Sequence, residues 1–305
     1  MTSSNKINAE LLLQDIREDP ERSGVWNFYN PKNLYLTDSQ SKIYLELMGD
    51  IRYSSRFHDK TETLIKTNSK KIIDHFNEDS LLIIDLGPGY PSKTFPIIDD
   101  LKKQKKEIEY WGVDINQHFA NIAKRTMLKR GISHSFSKII SFEVTADALK
   151  KSGTNCQKLI IIGLTFMNFE PGYILNILKS CASGEKDVCL TAVECADNAK
   201  PLILMKPYKT KEVERFLFIP LSFLGVKESE VSYNVEFHAQ RIEMFFIFNK
   251  VPPLLKEKGI KEGDKIITAI SYRYTTKQYQ DLLRSRFTKN EFFKLENTVL
   301  GISRK

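Results

Sequence analysis

The stretch LLIIDLGPG, residues 81–89, decides the fold. It starts with an uninterrupted apolar run and continues through Asp85 to Gly87 and Gly89. A short continuous apolar run is typical of a strand buried on both faces, as in a parallel sheet. Glycine adopts backbone conformations that other residues avoid, and it lets a ligand approach the main chain. The stretch therefore predicts a buried parallel strand that ends in a tight turn.

Similar strands alternate with helices on the C-terminal side of this stretch. Helices are expected over residues 61–76, 92–103, 117–130 and 171–180, and further strands over residues 109–114, 139–144, 158–163 and 187–193. This alternation is typical of βαβ units. The sequence thus predicts an α/β fold with a doubly wound, mostly parallel sheet.

The pattern changes after Cys195. Residues 231–250 alternate in polarity on two arms and predict a β-hairpin, and residues 266–274 alternate again. A helix is expected over residues 275–286, N-capped by Thr275 or Thr276. Residues 292–302 are expected to supply closing strands.

The composition narrows the class of protein. The chain has 305 residues, of which 41% are hydrophobic and 28% charged, so it is globular and neither collagenous nor disordered. No apolar run reaches the ~18 residues of a membrane helix, and the N-terminus shows no signal peptide. The four cysteines form no CxxC motif, so we expect no metal and reduced thiols in a cytoplasm.

The net charge of +8 allows an anionic partner such as nucleic acid. However, the basic residues are spread along the chain, and no segment alternates basic and aromatic residues as a stacking platform would. A lysine-rich surface is the simpler interpretation, and a nucleic-acid partner is not expected.

The turn at Gly87 lacks two common nucleotide motifs. The GxxxxGK[ST] pattern of a phosphate loop is absent, and Ser92 stands where a dinucleotide fold has its third glycine. With Asp85 before the glycines and Pro88 between them, the turn suits a phosphate-free cofactor such as S-adenosylmethionine. The alternative is a plain strand-to-helix turn.

Two more acids follow predicted strands. Asp114 can accept both ribose hydroxyls of an adenosine, and Asp147 can bind the adenine amino group. The alternative for each is a helix N-cap. Together with the glycine turn, these acids predict a class I, Rossmann-like methyltransferase that uses S-adenosylmethionine.

The segment GLTFMNFEP, residues 163–171, resembles the G-S-T-x-G-N-F-E-P segment of the histidine Nα-methyltransferase family, whose enzymes make trimethylhistidine for ergothioneine. Other segments are similar to this family in the same order. They are Pro31-Lys32 with Tyr35, Tyr53 and Arg56; residues 85–89 with Lys93-Thr94; the RIEM sequence at 241–244; and ISYRYT at 270–275. The resemblance spans about residues 31–287.

The resemblance implies two domains. Residues 61–194 and 271–305 would form the cofactor-binding methyltransferase domain, and residues 1–60 and 195–270 a smaller α+β substrate-binding domain. Lys93 and Gly163 would join Asp85, Gly87, Gly89, Asp114 and Asp147 in the cofactor site.

The resemblance also implies substrate-binding residues. Asn168 matches an asparagine that binds the substrate carboxylate, although capping of the next helix is an alternative. The other matching positions are Tyr208 at the same carboxylate, Tyr35 and Tyr53 in the pocket wall, and Ser271 near the imidazole.

Ala269 departs from the family, because the histidine enzymes carry a glutamate there that holds the imidazole N–H. A missing buried partner costs about 1–3 kcal/mol. We therefore expect N-methylation of the amine of an amino acid or related small molecule other than histidine, with no catalytic side chain required. The alternatives are an RNA or protein methyltransferase, and a cofactor-binding protein without turnover. The oligomeric state stays open.

Overall fold

The computed structural model describes residues 9–49, 59–197 and 199–305. The chain divides into two compact units. We call Met1–Gly49 with Ala199–Tyr272 the five-stranded unit, and Asp50–Asn198 with Arg273–Lys305 the seven-stranded unit.

The strands and helices are numbered in chain order. The strands are β1 (Arg17–Glu18), β2 (Val25–Asn27), β3 (Ser80–Leu86), β4 (Glu107–Asp114), β5 (His134–Ile139), β6 (Gln157–Ile162), β7 (Val188–Glu194), β8 (Val231–His238), β9 (Arg241–Phe248), β10 (Lys265–Tyr272), β11 (Lys289–Leu295) and β12 (Thr298–Arg304). The α-helices are α1 (Ala9–Gln14), α2 (Asp38–Gly49), α3 (Asp59–Ile73), α4 (Phe95–Lys103), α5 (Gln117–Lys129), α6 (Thr145–Ser152), α7 (Pro171–Cys181), α8 (Pro201–Met205), α9 (Lys211–Ser222), α10 (Pro253–Glu257) and α11 (Thr276–Arg284). Among the described residues, no helix has both the length and the apolar character that a membrane crossing requires.

The sheet of the seven-stranded unit has the order β11-β12-β7-β6-β3-β4-β5. The pairs from β7 to β5 are parallel, whereas β12 runs antiparallel to both of its neighbours. The fold is therefore α/β with a doubly wound, mostly parallel sheet, as predicted. Because chain order reverses at β3, the carboxyl end of β3 is the switch point at which such sheets bind ligands.

The core of this unit lies on both sides of β3. All residues from Leu81 to Leu86 are buried, which accounts for the continuous apolar run in the sequence. Ile65 of α3, Ile97 of α4 and Met127 of α5 pack in one cluster with Ile83. Helix packing against the sheet thus excludes water from the strand that carries the glycine turn.

The predicted cap of α11 is confirmed. The Thr275 side chain accepts the Gln278 N–H, and the Gln278 side chain accepts the Thr275 N–H, which forms a capping box. The free thiols of Cys181, Cys189 and Cys195 are buried, and burial raises the pKa of Cys181 to about 12.

The position predicted for the third strand of this unit is wrong. The strand is β5, residues 134–139, whereas residues 142–144 form a 3₁₀ turn and α6 follows. β5 is an edge strand with one neighbour, and its Phe136 and Ile139 are 40% and 48% exposed. An edge strand with exposed apolar residues lacks the continuous buried run that identified the central strands.

The five-stranded unit has the sheet order β1-β2-β10-β9-β8. β8 and β9 form the predicted hairpin, and the two residues of its turn, Ala239 and Gln240, have φ values of +45° and +65°. Such left-handed turns match the twist of the hairpin strands. β10 pairs antiparallel with β9 and parallel with β2.

A β-bulge in β10 determines which side chains share a face of this sheet. The register shifts between Ile267 and Ala269, so that Ala269 lies opposite Met244 and Ser271 opposite Ile242. Directly opposite residues of antiparallel strands point to the same face. Glu243, between Ile242 and Met244, therefore lies on the other face.

Glu243 is a buried, ion-paired residue on that other face. It is 1% exposed, and its carboxylate contacts Arg22 at 2.8 Å and Arg241 at 2.7 Å. Although burial opposes ionisation, the hydrogen bonds from these two arginines hold the pKa of Glu243 below its ordinary value.

The Glu243→Gln substitution is expected to destabilise the protein by about 3 kcal/mol, because it leaves two arginines without their shared buried anion. The matched control is Glu236→Gln on the neighbouring strand, since Glu236 is paired with Lys265 and is 38% exposed. This control should cost less than about 1 kcal/mol. Urea unfolding would measure both, and equal losses would contradict the structural role of Glu243.

Candidate active site

The glycine turn follows β3 directly. Gly87 and Gly89 have φ values of +65° and +52°, in the left-handed region that other residues adopt at a cost of about 1–2 kcal/mol. The Gly87 N–H donates to the carbonyl oxygen of Val113 at 2.9 Å. A Cβ on Gly87 would lie 3.4 Å from the side chains of Phe142 and Thr165. The main chain of the turn is thus close to the end of β4 and to the 3₁₀ turns that follow β5 and β6.

Asp85 is fully buried and has no surface for a ligand. Its Oδ1 atom lies 3.0 Å from Lys93 Nζ, and Thr94 Oγ1 and the Tyr110 hydroxyl donate to its Oδ2 atom at 2.9 and 3.2 Å. The structure therefore gives no support to a direct contact between Asp85 and the cofactor, since both oxygens lie within 3.2 Å of protein side chains. Asp85 instead fixes Lys93 and the turn.

Lys93 connects the turn to the end of β6. Besides its pair with Asp85, its Nζ atom donates to the Pro88 carbonyl at 3.4 Å. A Cβ on Gly163 would lie 3.6 Å from Lys93 Cδ. The structure thus brings Asp85, Gly87, Lys93 and Gly163 together at the carboxyl edge of the sheet.

Asp114 ends β4 at the same edge and is 9% exposed. Its Oδ1 atom accepts the N–H of Asn116 at 2.9 Å, and Asn116 is the residue that caps α5. The helix-cap alternative for Asp114 is therefore wrong. Burial raises the pKa of Asp114 to about 7, and the nearby Asp85 acts in the same direction. The hydrogen bond from the Asn116 N–H and the charge of Lys93 act in the opposite direction. Such a poorly solvated carboxylate gains from hydroxyl donors.

Asp147 lies elsewhere than expected. Because the preceding strand ends at Ile139, Asp147 falls in the first turn of α6, where its carboxylate is 66% exposed and lies 3.6 Å from Lys150. It is neither at a strand end nor the N-cap, which is Val144. This placement does not support the predicted adenine contact.

An aromatic row, Phe142, Phe169 and Tyr173, stands beside the glycine turn and was missed by sequence reasoning. The rings of Phe142 and Phe169 are 5.7 Å apart, and those of Phe169 and Tyr173 stack at 5.8 Å. Phe142 is also one of the two side chains that lie 3.4 Å from a Cβ on Gly87. The sequence signal for this row is Phe142, but the strand predicted over residues 139–144 includes that residue.

Asn168 is the last residue of a 3₁₀ turn, Leu164–Asn168, that follows β6. The N-cap of α7 is Glu170, so Asn168 does not cap that helix. Phe166 and Met167 are 0% and 2% exposed, whereas Asn168 is half-buried. The turn therefore buries these two apolar residues and leaves Asn168 partly exposed.

Two predicted substrate residues meet in the five-stranded unit. The buried Tyr208 hydroxyl donates to Ser271 Oγ at 3.4 Å, and the Tyr233 hydroxyl donates to the Tyr208 carbonyl at 2.8 Å. Tyr35 packs edge-on against Tyr44, with ring centroids 5.5 Å apart. Tyr53 lies outside the described residues.

Residues 57–299 match the family model described as "Histidine-specific methyltransferase, SAM-dependent", where SAM is S-adenosylmethionine. The chain belongs to this family. The match confirms the resemblance read from the motifs, and S-adenosylmethionine is the cofactor of this methyltransferase family.

Solved methyltransferases are among the structures that match this chain. An S-adenosylmethionine-dependent methyltransferase from Clostridium acetobutylicum is 13% identical, with a TM-score of 0.46 over 88% of this chain and 99% of that chain. Magnesium protoporphyrin IX methyltransferase from Synechocystis, solved with bound S-adenosylhomocysteine (SAH), is 10% identical, with a TM-score of 0.48 over 89% of this chain and 96% of that chain. A search of the curated proteins by sequence found no match.

The seven-stranded unit offers groups that fit this cofactor. The Asp114 carboxylate, with one backbone donor and little water, suits a pair of ribose hydroxyls. The left-handed glycines give a ligand close access to the main chain, next to the ring of Phe142. Lys93 and Gly163 border the same turn.

We expect the affinity for SAH to depend on pH through Asp114. The ionised carboxylate accepts hydroxyl donors, so binding weakens as pH falls through the pKa of about 7. Linkage predicts a loss of about tenfold between pH 8 and pH 6. Calorimetry of the wild type and of Asp114→Asn at both pH values would measure this.

The Asp114→Asn variant should bind at least ~10-fold more weakly at pH 8 and lose most of the pH dependence. An unchanged pH dependence in this variant would assign the titration to another group.

Proposed function

We propose that this chain is an N-methyltransferase that transfers a methyl group to the amine of an amino acid, or of a related small molecule, whose side chain is neutral and is not imidazole. The observation that carries this proposal is the surrounding of Ala269. Its cross-strand partner is Met244, and Ser271 on the same face is hydrogen-bonded to Tyr208. These groups are apolar or uncharged, and none supplies an anion for an imidazole N–H.

The nearest acid along the sheet does not replace the missing carboxylate. Glu243 precedes Met244 in β9 and therefore points to the opposite face. Both of its oxygens accept hydrogen bonds from arginines, Oε2 from Arg22 and Oε1 from Arg22 and Arg241. Withdrawing it would remove the buried anion that these two arginines share, which is costly.

Asn168 is the proposed contact for the carboxylate beside the reacting amine. Its amide donates a hydrogen bond without carrying a charge. It therefore orients an α-amino acid without adding a charge that would raise the pKa of the amine. A neutral amine is the nucleophile that methyl transfer requires.

The proposed mechanism needs alignment more than acid–base chemistry. S-adenosylmethionine supplies an electrophilic methyl group on a sulfonium. The chain would align the amine with that methyl group by holding the neighbouring carboxylate at Asn168, and a water would take the released proton. An aromatic, poorly hydrated surrounding suits a step in which the cationic cofactor becomes neutral.

Histidine is expected to be a poor substrate in an assay of the twenty amino acids with S-adenosylmethionine labelled in the methyl group. Ala269→Glu should raise kcat/KM for histidine by roughly 10- to 100-fold, as a charged hydrogen bond is worth about 1.5–3 kcal/mol. The control Ala269→Gln has the same shape without the charge and should gain less. Efficient use of histidine by the wild type would contradict the proposal. Labelling of RNA or protein alone would favour a macromolecular substrate.

Asn168→Asp is expected to lose more activity than Asn168→Ala on the same accepted amino acid. The introduced carboxylate repels the substrate carboxylate, whereas alanine only removes a donor. Methylation kinetics of both variants would measure this, with descarboxy amine analogues as controls that should show no such difference. Equal losses, or full activity of Asn168→Asp, would mean that Asn168 does not face a carboxylate.

A further inference from the structure

The guanidinium of Arg273 is fully buried next to the turn that carries Asn168. Its Nη2 atom lies 3.4 Å from the Oε2 atom of Glu194, which is the last residue of β7. Glu194 is 1% exposed. The Nη1 atom of Arg273 donates to the Met167 sulfur at 3.5 Å. One side chain thus contacts both a strand end and the residue before Asn168.

The same sulfur receives a second donor. The backbone N–H of Glu194 donates to Met167 Sδ at 3.3 Å, and Asn297 donates to Glu194 Oε1 at 2.7 Å. Arg273, Glu194 and Met167 therefore each contact the other two, and the thioether sulfur accepts hydrogen bonds from two N–H groups.

The residue after Arg273, Tyr274, contacts the residue before Met167, Phe166. The Tyr274 ring lies 6.3 Å from that of Phe166, edge to face. The Tyr274 carbonyl accepts the Ala196 N–H at 2.7 Å, which attaches the segment to the chain after β7. Consecutive residues 273 and 274 thus hold consecutive residues 167 and 166.

We propose that Arg273 is a positioning residue for substrate binding: through the sulfur of Met167 and the carboxylate of Glu194 it fixes the 3₁₀ turn that ends at Asn168. The inference rests on the proposed contact of Asn168 with the substrate. A lysine cannot replace Arg273 fully, because one ammonium point charge does not span two partners as the planar guanidinium fork does.

The main test is Met167→Leu, which keeps volume and apolar character but removes the acceptor. KM for the best amino acid of the twenty-member assay should rise about fivefold, which corresponds to about 1 kcal/mol. kcat and the dissociation constant for SAH should stay within about twofold of the wild type. The matched control is Met127→Leu, a core methionine that is 0% exposed and should leave KM unchanged.

A double-mutant cycle with Asn168→Ala separates positioning from a general structural effect. If Met167 acts through Asn168, Met167→Leu should raise KM in the wild type but hardly at all in the Asn168→Ala background. An equal rise in both backgrounds would overturn the proposal, as would an equal effect of Met127→Leu. If Asn168→Ala alone leaves KM unchanged, the substrate role of Asn168 fails, and the positioning role fails with it.

Hydrogen–deuterium exchange gives a readout without substrate. Arg273→Lys and Met167→Leu should speed exchange in the peptide covering residues 163–170 at least threefold, whereas Met127→Leu should not. Unchanged exchange in both variants would overturn the proposal even where their kinetics differ from the wild type.

Discussion

The carboxyl group of Asp85 lies in the core of the seven-stranded unit, where a polar group without partners costs several kcal/mol. Its donors come from separate elements: Lys93 and Thr94 belong to the 3₁₀ turn that starts at Pro91, and Tyr110 to β4. The segment between Asp85 and Lys93, which contains the glycine turn, is therefore tied at both ends. The conformation of that turn, and the access it gives to the main chain, depend on this one buried carboxyl group.

The buried acids of this protein differ in the protein groups that pair with their carboxylates, and this difference distinguishes structural acids from one that can bind a ligand. Asp85, Glu194 and Glu243 each pair with at least one cationic side chain in the core. For Asp114, at the same edge of the sheet as Asp85, the donor among the described residues is the Asn116 N–H, and burial raises its pKa to about 7. The Asp114 carboxylate thus keeps hydrogen-bonding capacity that Asp85 has used.

Sequence patterns predicted the central strands and the Gly87 turn because continuous apolar runs and left-handed glycines leave local signals. They failed at the sheet edge, where only Ser135 of β5 is buried and where residues 139–144, with Phe142 and Val144 near their end, resembled a strand. That error placed Asp147 at a strand end and hid Phe142. The sequence did not predict the structural role of Asp85 either, because its hydrogen bonds with Thr94 and Tyr110 form only once the chain has folded.

The bulge in β10 shows why the candidate substrate residues needed the structure most. Ile267 lies opposite Phe245, so an unbroken ladder would place Ala269 opposite Glu243. Thr268 is the extra residue, and its hydroxyl donates to the Met244 carbonyl at 3.3 Å. A bulge shifts the register by one residue and so reverses the face. Ala269 therefore lies opposite Met244, and the carboxylate of Glu243 stays on the far face with its arginines. The neutral surrounding of Ala269 thus follows from one inserted residue as much as from the alanine itself.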